Sequence, residues 1–475
     1  MSNHPVIIQG GMGVAVSNWK LANAVAKLGQ LGVVSGTALD VVMVRRLQDG
    51  DLGGHIRRAF DHFPFKKMAE RLWEKYFVPG GKTESASYLA LPMHTKDGPR
   101  ESRELQIISN FVEIFLAKEG HSNPVGINYL EKIQTPHLAS AYGAMLAGVG
   151  YVLMGAGIPM RIPGALDRLA VHETATYPLY VAGAQEGDDN TMTFDPREYM
   201  ECDLPPLERP YFFPIIASNT LAITMARKAN GRVDGFVIEG PTAGGHNAPP
   251  RGKLQLNEAG EPLYGERDKV DLAKMRELGL PFWLAGSYGA PEKLREALDE
   301  GAAGIQVGTA FAYSEESGMR ADFKAEVIRM AKEGTARVFT DRLVSPSGFP
   351  FKVAQVAGTI SDAEIQSKRP RICDLGYLRE AYRTPEGEVA FRCPSEPVSI
   401  YLSKGGKEED TEGRACICNA LMATAGHPQI RAGKHLESGV VTSGDEIANL
   451  ARFLPDGADT YTAEHVANVL LAGLA

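Results

Sequence analysis

One histidine stands in a setting suited to proton transfer. It is His246, in the run EGPTAGGHNA at residues 239–248. An imidazole titrates near neutral pH and can take a proton from a carbon acid or give one to an anion. The preceding Gly244 and Gly245 carry no side chains and leave room for a flat ring system. A second glycine-rich run, Gln9-Gly10-Gly11-Met12-Gly13, closes a short apolar stretch near the N-terminus, where glycine lets a ligand approach the backbone. Further on, AGS at 285–287 and GIQVGTAF at 304–311 put Gly286, Ser287, Gly308 and Thr309 at the ends of two successive apolar runs. Backbone N–H groups in such turns suit an anion such as a phosphate. Four of the five cysteines, Cys373, Cys393, Cys416 and Cys418, share one Gly/Pro-rich segment. Four soft ligands suffice for Zn²⁺, the preferred reading, or for an iron–sulfur cluster. Their spacing lacks paired C-x-x-C knuckles, so four unlinked buried thiols are the competing reading.

These residues need a scaffold that brings strand ends together. Short Val/Ile-rich runs recur at 5–10, 31–36, 124–129, 151–157, 212–218, 235–240, 282–287 and 304–310, each ending in small or polar residues and most followed by a helix-like stretch. Runs apolar on both faces suit parallel strands covered by helices. Eight such units predict an α/β fold of the (β/α)8 TIM-barrel type, with the glycine-rich turns and His246 at its C-terminal face. The first helix is expected after an N-cap at Ser17 and ends at Gly29. A long helical insertion, residues 41–123, follows the second strand and reads either as a lid or as an excursion packed on the rim. A second excursion between the fourth and fifth strands is expected to add a β-hairpin. The expected organisation is a barrel over 1–370 including that insertion, a Cys-containing C-terminal appendage over 371–435, and a helical segment over 436–475.

The chain has 475 residues with 44% hydrophobic and 23% charged content, which allows a sizeable core and argues against pervasive disorder. The balance of 50 Lys+Arg against 58 Asp+Glu gives a net charge of −8, which disfavours nucleic acid or an anionic membrane as partner. The N-terminus shows neither a secretory signal nor a long apolar span, so a cytoplasmic protein with reduced thiols is expected.

Together, IQGGMG, AGGH and GIQVGTAF resemble the nitronate monooxygenases, formerly called 2-nitropropane dioxygenases, over roughly residues 5–335. Flavin-dependent enoyl-acyl-carrier-protein reductases belong to the same superfamily. The resemblance implies non-covalent FMN. It places Gly11, Met12, Gly13, Asn128, Glu239, Gly244 and Gly245 about the flavin. Gly286, Ser287, Gly308 and Thr309 would take its phosphate, with Gln306 nearby, and His246 would be the catalytic acid/base. The insertion and Cys-bearing tail look more like the longer branch near the polyunsaturated fatty acid synthase enoyl reductases. The implied activity is oxidation of nitronates or nitroalkanes with O₂. The alternatives are an NAD(P)H-dependent enoyl thioester reductase and a flavin-binding subunit without turnover. Expected partners are a small-molecule substrate, an acyl-carrier protein in the reductase reading, and a second copy of the chain as a homodimer.

Overall fold

In the computed structural model, which describes residues 4–431 and 435–474, eight parallel strands close into a barrel. They are β1 (Ile7–Gln9), β2 (Leu31–Ser35), β3 (Val125–Leu130), β4 (Tyr151–Gly155), β5 (Tyr211–Ile216), β6 (Phe236–Glu239), β7 (Phe282–Ala285) and β8 (Gly304–Val307). Each pairs with its successor, and β8 pairs back to β1 with Ile8 opposite Gln306. All eight runs read from the sequence are therefore strands. Their near-continuous burial follows from having helices outside and a filled interior. Inward-facing Ile8, Leu31, Val33, Tyr151, Leu153, Phe213, Val237 and Trp283 fill the barrel core. The Trp283 indole N–H donates to the Pro5 carbonyl at 3.0 Å, tying the chain start to β7.

The first helix, α1 (Trp19–Lys27), is capped by Asn18, whose side chain accepts from the Leu21 N–H, and not by Ser17. The insertion folds as α2 (Leu39–Gln48), α3 (His55–His62), α4 (Lys66–Tyr76) and α5 (Arg100–Ala117). Helix α5 is buried along most of its length and packs between α1 and the helix His137–Leu146. It thereby serves as the outer-layer helix of the second βα unit. The second excursion does form an antiparallel pair, Ala175–Pro178 with Thr191–Phe194. Among the described residues, no helix is long and apolar enough to cross a membrane.

Past the barrel, β9 (Val338–Asp341) and β10 (Phe351–Ala354) form an antiparallel pair, and β10 continues onto the two-residue strand Gly245–His246. The chain then supplies the hairpin Glu380–Arg383/Val389–Arg392 and the helices Val398–Ser403 and Ile417–Thr424. A final helix, Ala463–Leu471, returns to pack against α1.

Candidate active site

A cavity of about 420 Å³ opens at the C-terminal ends of the strands, where barrels of this kind carry their chemistry. That volume falls within the ~300–1,000 Å³ usual for small-molecule sites. Every residue placed about a ligand from sequence lines it: Gly11, Met12, Gly13, Asn128, Glu239, Gly244, Gly245, His246, Gly286, Ser287, Gln306, Gly308 and Thr309. No residue from 41 to 123 does so, which favours the packing role over a lid.

The turn after β1 is held from inside. Ser17 Oγ donates to the Gly10 carbonyl and accepts from the Met12 N–H, both at 3.0 Å, so its hydroxyl braces the glycine-rich loop and leaves capping to Asn18. Gly11 has no room for a side chain, because a Cβ there would lie 2.4 Å from Asn128 Cβ. After β7, Gly286 and Ser287 adopt φ of +91° and +58° in succession. A serine held in the left-handed region is uncommon and marks a backbone shaped by its surroundings.

His246 is fixed through elements distant in sequence. Its strand pairs with Phe351, whose ring centroid lies 4.8 Å from the imidazole in an edge-on arrangement. Its Nε2 lies 2.7 Å from Ser345 Oγ, and that hydroxyl meets Ser347 Oγ at 2.8 Å. The Ser345 contact leaves Nδ1 as the ring nitrogen without a partner among the described residues. Burial, with the positive charge of Lys132 adding to it, holds the imidazole pKa well below 6.5, so the ring is neutral at ordinary pH. Glu239 is shifted the other way: burial pushes its carboxyl up to about 8, keeping it protonated near neutrality.

Residues 442–445 pass over the loop carrying His246 and close the site. The Gly245 N–H donates to Thr442 Oγ1 at 2.9 Å, the Gly444 N–H to Thr309 Oγ1 at 2.9 Å, and the Asp445 N–H to the Thr242 carbonyl at 3.0 Å. Buried Lys352 on β10 anchors the same segment through a 2.6 Å contact with Asp445. The carboxy-terminal part of the chain thus builds the cavity wall, with Tyr377, Leu378, Ile417, Cys418 and Leu421 lining it too.

The four tail cysteines do not form the expected metal centre. Cys373 hydrogen-bonds to Cys393, and Cys416 accepts from Asn419 Nδ2 at 3.4 Å, while Cys418 faces the cavity. Cys416 caps the helix on which Cys418 lies, and positions two apart on a helix diverge. Among the described residues, no group of three or more His, Cys, Asp or Glu side chains is placed to hold a metal ion. The described residues therefore do not support the zinc and iron–sulfur readings.

Residues 211–345 match the nitronate monooxygenase family model. The matched segment runs from β5 to Ser345 and includes His246, Glu239 and the ends of β7 and β8. It supports an oxidoreductase. No curated protein matches the chain. Solved structures with a similar course include FabK from Thermotoga maritima, at 15% identity and TM-score 0.48 over 99% of this chain and 92% of that one. Nitroalkane oxidase from Streptomyces ansochromogenes is 14% identical at TM-score 0.47, covering 99% and 95%. The enoyl reductase domain of MlnA from Bacillus amyloliquefaciens is 10% identical at TM-score 0.43, covering 99% and 93%.

Several site residues were not foreseen from sequence: Ser345, Phe351, Thr442, Gly444 and Lys132. Ser345 lies 99 positions from His246, and Thr442 lies 197 from Gly245. Nothing local marks either of them. The apolar run around Phe351 was the one available signal, and reading it as a strand would have required a partner to be known.

Proposed function

We propose that this chain is an FMN-dependent oxidoreductase that oxidises nitronates with O₂, His246 being the residue that handles the proton. The observation that carries the reading is a neutral His246 with one ring nitrogen directed away from its Ser345 anchor, in a cavity edged by glycine turns. The residues present fit a flavin. Gln306 Oε1 and Asn247 Oδ1 are buried without hydrogen-bond partners, acceptors that a ring N–H or hydroxyl would satisfy. Gly245 has open space where a Cβ would be. Gly11, Met12, Gly13 and Asn128 would hold the ring, and Gly286, Ser287, Gly308 and Thr309 the phosphate. Bound FMN supplies two-electron redox chemistry and, once reduced, reactivity toward O₂.

The electrostatics favour a nitronate over a neutral nitroalkane. An imidazole with so low a pKa is a weak base, poorly matched to stripping a C–H proton. Its proton is handled as a donor's: the ring N–H is well suited to hydrogen-bonding an anion that arrives already deprotonated. Glu239, protonated near neutral pH, adds no repelling charge. Oxygen uptake by the yellow protein with alkyl nitronates, absent without them, is the expected result. Rapid anaerobic bleaching by NADPH followed by reoxidation with an enoyl thioester, without nitronate oxidation, would replace this reading with the reductase. Failure to retain or take up FMN would remove both.

A further inference from the structure

Lys132 follows β3, and its ammonium is buried without a hydrogen-bond acceptor among the described residues. It lies 3.4 Å from the centroid of the Phe349 ring. Burial pulls its pKa down to about 7, and its charge reaches His246. Neighbouring Glu131 offsets part of that shift through space but makes no ion pair or hydrogen bond with Lys132; its Oε1 accepts from Tyr177 and Gln134. A buried lysine without a counter-ion in contact costs stability. Packing offers it an aromatic face in place of an anion, and a cation over a ring recovers only part of what is lost on leaving water.

Lys132 lines a second cavity of about 210 Å³. Ile133, Ala156, Gly157, Phe349 and Tyr377 line both this cavity and the larger one, so the two abut across a thin wall. Arg379 also lines the smaller space, its guanidinium donating to the His94 carbonyl. Two cations therefore border a compartment beside the catalytic cavity, together with two carboxylates, Glu131 and Glu380, the second of which is paired with Arg392.

We propose that the Lys132 compartment is a subsite for a carboxylate or phosphate at the far end of a substrate whose reacting carbon lies beside His246. The inference rests on the function proposed above for the identity of the reacting group. The unpaired ammonium rests on geometry alone. An entering anion exchanges the Phe349 face for an ion pair and supplies the acceptor that Nζ lacks. A charge-assisted bond of this kind is among the stronger polar contacts. The position selects substrates carrying a distal anion over neutral chains of equal length.

The test is equilibrium binding of non-reacting probes to the flavin-loaded protein: butanoate and propylphosphonate as anions, and butanamide as the neutral isostere. The wild type should bind the better anion roughly tenfold or more tightly than butanamide, and Lys132→Met should abolish that preference while leaving butanamide binding in place. The tighter of the two anions identifies the group recognised. Lys132→Met removes an unpaired buried charge and should melt no lower than the wild type; Lys132→Arg, which keeps the charge, should keep a preference for the anions. Equal binding of anions and amide by the wild type, or an anion preference that survives in Lys132→Met, overturns the subsite. None of these measurements needs turnover. A protein that binds anions through Lys132 but oxidises no nitronate keeps the subsite and loses the proposed function, and the reverse pattern does the opposite.

Discussion

Replacing Gly244 and Gly245 separately by alanine separates two physical costs that neighbouring glycines hide. Gly245 has φ of +80° and nothing within 4 Å of an added Cβ, so Gly245→Ala meets only backbone strain, roughly 1–2 kcal/mol for an L residue in the left-handed region. Gly244 lies outside that region, but a Cβ there would sit 2.8 Å from both Gly444 N and the Ser443 carbonyl carbon. Those are backbone atoms and cannot swing away as a side-chain tip can. Relief requires residues 442–445 to lift, which breaks the hydrogen bonds from Gly245 N–H to Thr442 and from Gly444 N–H to Thr309 and strains the Lys352–Asp445 pair. At about 1 kcal/mol for each hydrogen bond, plus the cost of a displaced buried ion pair, Gly244→Ala should destabilise by about 3 kcal/mol or more. Urea unfolding of both apoproteins, with flavin content from the absorbance of the purified holoproteins, measures the difference. Gly244→Ala should unfold at lower urea and retain less flavin than Gly245→Ala. Equal stability of the two, or the reverse order, would refute the role given to residues 442–445.

Ser345→Ala removes the 2.7 Å contact that orients His246, and at ~1 kcal/mol should lower turnover about fivefold to tenfold with flavin content unchanged; undiminished turnover would show that the ring is held by Phe351 alone. Glu239 has a folded-state pKa of about 8 against 4.5 for the free group, so the folded state binds the extra proton between those values. The wild type should lose stability relative to Glu239→Gln as pH rises from about 4.5 to about 8, with no further divergence above that; parallel pH–stability curves would contradict the buried neutral acid. Metal analysis of anaerobically purified protein should find zinc and iron below stoichiometric levels, and thiol titration under denaturing conditions should recover all five cysteines. A stoichiometric metal would contradict the arrangement of Cys373, Cys393, Cys416 and Cys418.

The barrel was legible because each strand is buried on both faces and so reads as an unbroken apolar run, with β7 and β8 ending in glycine-rich turns. The residues that end those strands were legible for the same reason, since strand C-termini in a barrel converge on one mouth. What sequence could not supply was the closure. Ser17 carries the mark of an N-cap, yet its hydroxyl turns inward to brace Gly10 and Met12, and the adjacent Asn18 caps instead. A choice between neighbouring cap residues depends on tertiary contacts. Thr442, Gly444 and Ser345 meet the site across long stretches of chain, where no periodicity relates them to His246. Cysteine number suggested a metal, but ligation depends on directions, and those are set by the helix beginning at Ile417 and by the packing of Cys373 on Cys393.

The central claim is that His246 handles the proton in a flavin-dependent oxidation, and oxygen uptake with an alkyl nitronate by the FMN-loaded wild type and His246→Ala tests it most directly. The variant should keep its bound FMN and lose uptake by about a hundredfold or more. Wild-type uptake from a flavin-loaded His246→Ala protein would contradict it.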